Sequence, residues 1–446
     1  MTPLFSQIPS LVLALLGVLP TPPSVPTGPS LPGTFLPFPQ LEQCPALTPR
    51  SIPPRDARDV RPDDIRVVAA LGDSITAGFL ARTGRDEPSG EHTVIVVDPE
   101  DGEVHEGESE AGAQRFLPHL PWSLPTYNEY RGLSYPIGRD PLALTIPNIL
   151  SHYVPSLSGG SVGKHPLVTC FSGLGVHIGC EHPEGDGTNA AISGSIAAGL
   201  VGQVRDYLVP TLRALQVKDD DWKFINLGIG ANDIDGELTQ PANVTWSMTG
   251  TPKQFARDIK SAVDELRASI HSRSRYVTGE KMTDDVANVI VNIVGLFRVS
   301  SIYKLTLKDP YCQSPALPPV LPHLPLECSC PAGDYTRSKM DEMGEAYDAA
   351  VLEVIREWEE EADPSFGAIW QPGAAIDLEH WPVEALSPVD CFHPSEAAHQ
   401  RVAAGIWNRL TMSLEDKARP IRWEDEVRVR CLEEGDRFPV GQISGR

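Results

Sequence analysis

Ser74, Asp390 and His393 are residue types that together can cleave an ester. A serine hydroxyl is a poor nucleophile until a histidine takes its proton, and a carboxylate must orient that histidine. Ser74 stands in Gly72-Asp73-Ser74, directly after the apolar run Ile65–Leu71, and Asp390 and His393 are spaced Asp-x-x-His far downstream. Between them, Gly194 closes Asn189-Ala-Ala-Ile-Ser-Gly194, and Asn232 lies in Gly230-Ala-Asn-Asp233. The Ser74 and Gly194 backbone N–H groups and the Asn232 amide could hold the oxyanion of a tetrahedral intermediate. Losing one such donor typically costs about 3–4 kcal/mol in the transition state. The set implies a serine ester hydrolase.

Each element alone has a plainer reading. Ser74 could cap the next helix, Asp390 could form a turn, and His393 could be a loop histidine. Asn232-Asp233 is a common turn dipeptide, and Gly194 could serve close packing between a strand and a helix. The α/β-hydrolase elbow is excluded, because it needs glycine two residues either side of the serine and position 76 is Thr76. Pro394 restrains His393 toward extended geometry and opens a helix over Ser395–Leu410. The Asp390–His393 pair therefore belongs on a loop at a helix start. His399, one turn into that helix, is structural or lines the mouth of the site, and Trp407 is core.

The elements that must position these groups alternate. Ile65–Leu71, Trp222–Ile229, Asn288–Phe297 and Phe366–Trp370 read as strands; Ala197–Leu215, Thr251–Ser272 and Tyr335–Ala362 read as helices. Thr251-Pro252 suits an N-cap followed by proline at the first helical position. This alternation predicts an α/β fold, doubly wound, with a mainly parallel sheet, helices on both faces and loop insertions. In such sheets active groups gather beyond the carboxyl ends of strands. Ser74 and Asn232 both fall there, and Gly194 follows a short predicted strand, Thr188–Ile192. The polar stretch from Arg82 to Tyr130 reads as an insertion with a hairpin around Thr93–Val97.

The expected layout is a signal peptide over residues 1–24, a Pro-rich leader over 25–60, a catalytic domain over 61–432 and a tail over 433–446. Leu11–Leu19 has signal-core length, although no Lys or Arg precedes Arg50. No later segment suits a transmembrane helix, and the tail is too polar for a lipid-anchor signal. Eight cysteines and the sequon Asn243-Val-Thr245 fit secretion, with Asn243 the expected glycosylation site. Cys170–Cys180 is expected to close a local loop, and Cys312 to pair with Cys328 or Cys330.

The net charge of −23, from 37 basic and 60 acidic residues, argues against nucleic acid and against docking on an anionic membrane. Transient contact with a neutral lipid surface stays open. No metal or cofactor is expected. Cys170, His177, Cys180 and His182 are zinc-ligand types, but a disulfide with two loop histidines is the simpler reading. Asp219–Asp221 and Glu359–Glu361 lack the alternation of a calcium loop and read as solvated charge at helix ends.

Taken together, the blocks resemble the SGNH (GDSL-type) hydrolase family. More narrowly the chain is similar to phospholipase B of the animal and fungal kind. That likeness rests on Val67-Val-Ala-Ala-Leu-Gly-Asp-Ser74, Tyr130-Arg-Gly-Leu-Ser-Tyr-Pro-Ile-Gly138, Asn189–Gly194, Trp222–Asp233 and Asp390-Cys-Phe-His-Pro394 leading to Trp407. It spans roughly residues 44–432. The resemblance implies metal-free hydrolysis of acyl esters on phospholipids and lysophospholipids. Two departures bear on it. The segment Asp233-Ile-Asp-Gly-Glu-Leu238 lacks cysteines expected of close relatives, and the sequence reads as a single unit with no membrane tail expected, where some relatives are tandem and anchored. Acetylated sugars or simple lipid esters are the competing substrates, and a non-enzymatic binding protein is the third reading. A wide apolar groove beside Ser74 would favour long acyl chains, and a shallow polar one sugar esters.

Overall fold

Strands buried on both faces read as nearly unbroken apolar runs, which is how the sheet announces itself here. The computed structural model describes residues 31–82, 94–97, 104–107, 127–167, 171–173, 176–178, 182–215, 218, 220–238, 250–271, 288–313, 333–387 and 389–443. Five parallel strands, β1 (Ile65–Gly72), β2 (Ser158–Gly159), β3 (Trp222–Gly228), β4 (Val289–Val294) and β5 (Phe366–Gln371), pair in the order β5-β4-β3-β1-β2. Read from the other edge this is 2-1-3-4-5, a doubly wound order whose switch point lies between β1 and β3. Ligands bind such sheets at that point, beyond the strand ends.

Alternate side chains feed two cores. Val67, Ala69 and Leu71 of β1, Ile225 and Leu227 of β3, and Val291 and Ile293 of β4 join one cluster. It is closed by the helical stretch Ala197–Ala214, by Pro252–His271 and by Asp334–Glu361. Val68, Ala70, Phe224 and Ile290 face the other cluster, covered by Ile146–Tyr153 and Glu396–Trp407. Thr251 caps the Pro252 helix as its sequence implies, its Oγ1 accepting from Gln254 N at 3.2 Å. The expected hairpin in the insertion forms between Val94–Val97 and Val104–Gly107.

Several expectations are corrected. Thr188–Ile192 is not a ladder strand. It runs extended beside β1 with a single bridge, Ala70 to Asn189, held by Ala190 N to Ala70 O at 2.9 Å and Ile192 N to Gly72 O at 3.2 Å. The helix expected over Ala197–Leu215 is composite, with a π segment at Gln203–Leu208. Residues 35–60 are not a bare leader: Phe35–Pro37 pairs with Arg428–Arg430, and Leu41, Ala57 and Val60 are buried. Prolines are tolerated there because the segment lies at an edge, where missing N–H donors cost little. Part of the expected tail is likewise packed, with Phe438 buried against Phe224.

Cys312 pairs with Cys391, not with Cys328 or Cys330, because tertiary proximity rather than sequence distance selects the partner. Cys44 pairs with Cys431. Cys170, Cys180, Cys328, Cys330 and Asn243 lie outside the described residues. Glu359 is buried and accepts from Ile443 N at 3.1 Å, so that acidic run is not simply solvated. Among the described residues no helix is long and apolar enough to cross a membrane, and no cluster of metal-ligating side chains occurs.

Candidate active site

Ser74 opens the short helix Ser74–Ala77 immediately past β1, and Asp73 caps it, accepting from Ile75 N at 3.0 Å. Ser74 N–H is among the donors that a helix start leaves without an internal partner. The close approach of β1 and β3 requires glycine before the turn. A Cβ on Gly72 would lie 2.5 Å from the Gly228 carbonyl and 2.3 Å from Thr76 Oγ1.

Asp390 and His393 reach Ser74 from the other end of the chain. His393 Nε2 lies 2.8 Å from Ser74 Oγ, and His393 Nδ1 lies 2.5 Å from Asp390 Oδ2. Asp390 Oδ1 accepts from the backbone N–H groups of Phe392 at 3.0 Å and His393 at 3.1 Å. That leaves Oδ2 to accept the Nδ1 proton and turns the Nε2 lone pair toward the serine hydroxyl. The turn is tight: Cys391 has φ +54° and is tied to Cys312. Beyond Pro394, Ser395 caps the helix Glu396–Trp407, accepting from Ala398 N at 3.3 Å. Phe79 packs edge-on against the His393 ring, with centroids 4.8 Å apart.

The remaining predicted residues meet on a second segment. Gly194 is exposed with φ +78°, and a Cβ there would touch nothing within 4 Å. Its glycine therefore answers a backbone requirement rather than close packing. Asn232 Nδ2 donates to Ser195 O at 2.9 Å, and Ala197 N donates to both carboxylate oxygens of Asp233 at 3.2 and 3.1 Å. The dipeptide after β3 thus fixes the backbone just past Gly194.

On the near side of Gly194, Arg131 donates to Asn189 O at 3.0 Å and Ala191 O at 2.8 Å, and pairs with Glu129 at 2.8 Å. Glu129 in turn accepts from Ser193 Oγ at 2.5 Å. Asp186 joins this buried group with Arg131 at 3.3 Å, His165 at 2.8 Å and His182 at 2.7 Å. His182 therefore serves a carboxylate; Cys170 and Cys180, named with it as zinc-ligand types, lie outside the described residues. Sequence reasoning passed over Glu129, Arg131 and Ser193. A buried arginine leaves no local pattern, although Arg131 stood inside one of the motif blocks.

Beside His393 an apolar pocket of about 80 Å³ runs between the ends of β3 and β4 and the Glu396 helix. Ile75, Leu296, Phe297, Trp381, Phe392 and Val402 give its walls their apolar character. His399 is wholly buried and lines this pocket; its Nδ1 accepts from Tyr135 N at 3.2 Å. Burial drives that imidazole down to about 3, so it is neutral at working pH. No sequence signal marked the pocket, which is assembled from segments remote in the chain.

Burial also pushes Asp73 up to about 6 and Asp233 up to about 7. Both values lie above the ordinary 3.8, so the folded state holds these protons more tightly than the unfolded chain. Their contribution is full below about pH 3.8 and is lost as pH rises through 6 and 7. Stability should therefore fall by about 1–3 kcal/mol between pH 5 and pH 7. Asp348, likewise pushed up to about 7 by burial, adds to the fall. His399, held down to about 3, is protonated only in the unfolded chain and offsets part of it up to about pH 6.5. Lys417, buried and pulled down to about 7, also opposes it but mainly above that window. Thermal melts across pH 5–7 check this; a midpoint that is flat or rising would contradict it.

The sequence profile described as GDSL-like Lipase/Acylhydrolase matches residues 68–406. A Mus musculus protein described as "Phospholipase B1, membrane-associated" is 26% identical over 408 residues, covering 89% of this chain and 22% of the relative. The Homo sapiens protein of the same description is 24% identical over 405 residues, covering 87% and 22%. This chain thus spans about a fifth of the length of these relatives. A solved structure of a catalytic mutant of an acetylxylan esterase from Geobacillus stearothermophilus aligns with 80% of this chain and 97% of its own. Its identity is 15% and its TM-score 0.30, too low to bear on site geometry. With the profile running from β1 into the helix that follows His393, the chain belongs to the GDSL-like lipase/acylhydrolase family.

Proposed function

We propose that this domain is a serine esterase that removes acyl chains from phospholipids and lysophospholipids. The observation that carries the reading is the hydrogen-bonded chain Ser74–His393–Asp390 beside an apolar pocket. His393 Nε2 takes the Ser74 proton as Oγ attacks the ester carbonyl carbon, and Asp390 stabilises the resulting imidazolium. The carbonyl oxygen, now negative, is held by Ser74 N–H, Gly194 N–H and the second hydrogen of the Asn232 amide. The carbon–oxygen ester bond breaks, the alcohol leaves with the proton from His393, and an acyl group stays on Ser74. Water, deprotonated by His393, then attacks the acyl carbon; Oγ departs with that proton and the free acid is released.

The apolar pocket walls favour an aliphatic chain over an acetyl group, which would leave most of that surface uncovered. The described disulfides suit work outside the cytosol, in an oxidising compartment. The test is fatty-acid release from phosphatidylcholine and lysophosphatidylcholine, set beside nitrophenyl acetate, nitrophenyl decanoate and acetylated xylan. Release from both lipids is expected, with kcat/KM on decanoate at least tenfold above acetate. Cleavage of acetyl esters alone would overturn the lipid reading and keep the ester chemistry.

A further inference from the structure

Two of the three oxyanion donors come from backbone segments that are far apart in sequence: the Gly72–Ser74 turn and the Gly194 loop. Something must hold these segments in register, since a misplacement of about 1 Å can cost 10²-fold in rate. Gln203 touches both. Its side chain is 2% exposed and sits at the first position of the π segment Gln203–Leu208, a local irregularity that often marks functional positions in helices. Gly72 N donates to Gln203 Oε1 at 3.0 Å, and Gln203 Nε2 donates to Gly72 O at 2.7 Å. The same Nε2 donates to Ser195 Oγ at 3.1 Å. One amide therefore pairs with both the N–H and the C=O of Gly72, two residues before Ser74, and also grips the residue directly after Gly194.

We infer that Gln203 is a positioning residue that sets the Ser74 and Gly194 backbone donors at their mutual spacing. This rests on the esterase reading above and extends it to a residue that touches no substrate. A glutamine is suited to the task because its amide offers an acceptor and two donors at once. Burying it is tolerable because all three are used; an apolar replacement would leave the Gly72 N–H and C=O without their side-chain partner. The Ser195 grip is a second, weaker strand of the same device. Asn232 already holds the Ser195 carbonyl, so the hydroxyl contact adjusts the loop rather than carrying it.

The experiment compares wild type, Gln203→Met, Ser195→Ala and the double variant on nitrophenyl decanoate. Each rate is divided by the active-site concentration from organophosphonate titration, so misfolded molecules are not counted. Gln203→Met should lower kcat about 100-fold and Ser195→Ala about fivefold, with KM within about threefold in each. The double variant should be no slower than Gln203→Met, because the serine hydroxyl acts through the glutamine. A kcat within twofold of wild type in both single variants would overturn the inference, as would losses confined to KM or simple multiplication in the double. Should Gln203→Met fail to fold, Ser195→Ala decides alone. Wild type that neither turns over the ester nor labels at Ser74 would instead sink the esterase reading beneath.

Discussion

Ser74→Ala should turn over nitrophenyl decanoate about 10⁵–10⁶-fold more slowly than wild type and should take up no organophosphonate. The loss is this large because acyl transfer needs Oγ as the atom that bonds to carbon, and the remaining donors can only bind. The fold should survive. The turn is set by Asp73, whose carboxylate caps the helix, and by Gly72, which the approach of β3 demands. Ser74 Oγ contributes a hydrogen bond to His393 Nε2, and a melting temperature within a few degrees of wild type is the expected control. Residual activity above about one per cent would mean that another group attacks the carbonyl.

Asp390→Asn should cost about 10⁴-fold in kcat, and the reason lies in the backbone. Oδ1 of Asp390 accepts from two N–H groups, those of Phe392 and His393. An asparagine must keep its oxygen there, since turning its NH₂ toward two donors would oppose like groups. Its NH₂ then faces His393 Nδ1, which must become an acceptor. The ring proton moves to Nε2 and points at Ser74, the wrong tautomer for taking a proton. Ester binding should change little, so the fall belongs in kcat with KM nearly constant. Wild-type kcat in this variant would show that Asp390 neither orients nor charges His393.

What the sequence made legible follows from how local each signal is. β1, β3, β4 and β5 are apolar on both faces, so each announced itself within about seven residues. The Asp390–His393 pair was legible because both partners sit in one turn, and the Pro394 signal located the helix beyond it. Other features depend on remote partners. β2 is only Ser158–Gly159 and has no pattern of its own. The packing of residues 35–60 depends on Arg428–Arg430, and the partner of Cys312 lies 79 residues away. Arg131 and Gln203 gain their meaning from carbonyls and peptides they meet only after folding. Gly194 was found for its motif, while its reason, a positive φ in open space, belongs to the folded loop.

Seen as a graph rather than as a string, the domain is a ring. The Cys44–Cys431 bond joins positions 387 residues apart and encloses every residue assigned a chemical role above. Inside it the Cys312–Cys391 bond closes a smaller ring that ends beside Asp390. On a chain-entropy account the outer closure alone removes about 6 kcal/mol of freedom from the unfolded chain. A topological consequence follows for damage. One peptide-bond cut in a loop between Cys44 and Cys431 opens the ring without parting it, so Ser74 and His393 stay covalently joined through the far side. In a reducing solution the same cut makes two separable pieces, with the serine and the histidine on opposite fragments whenever the cut falls between them.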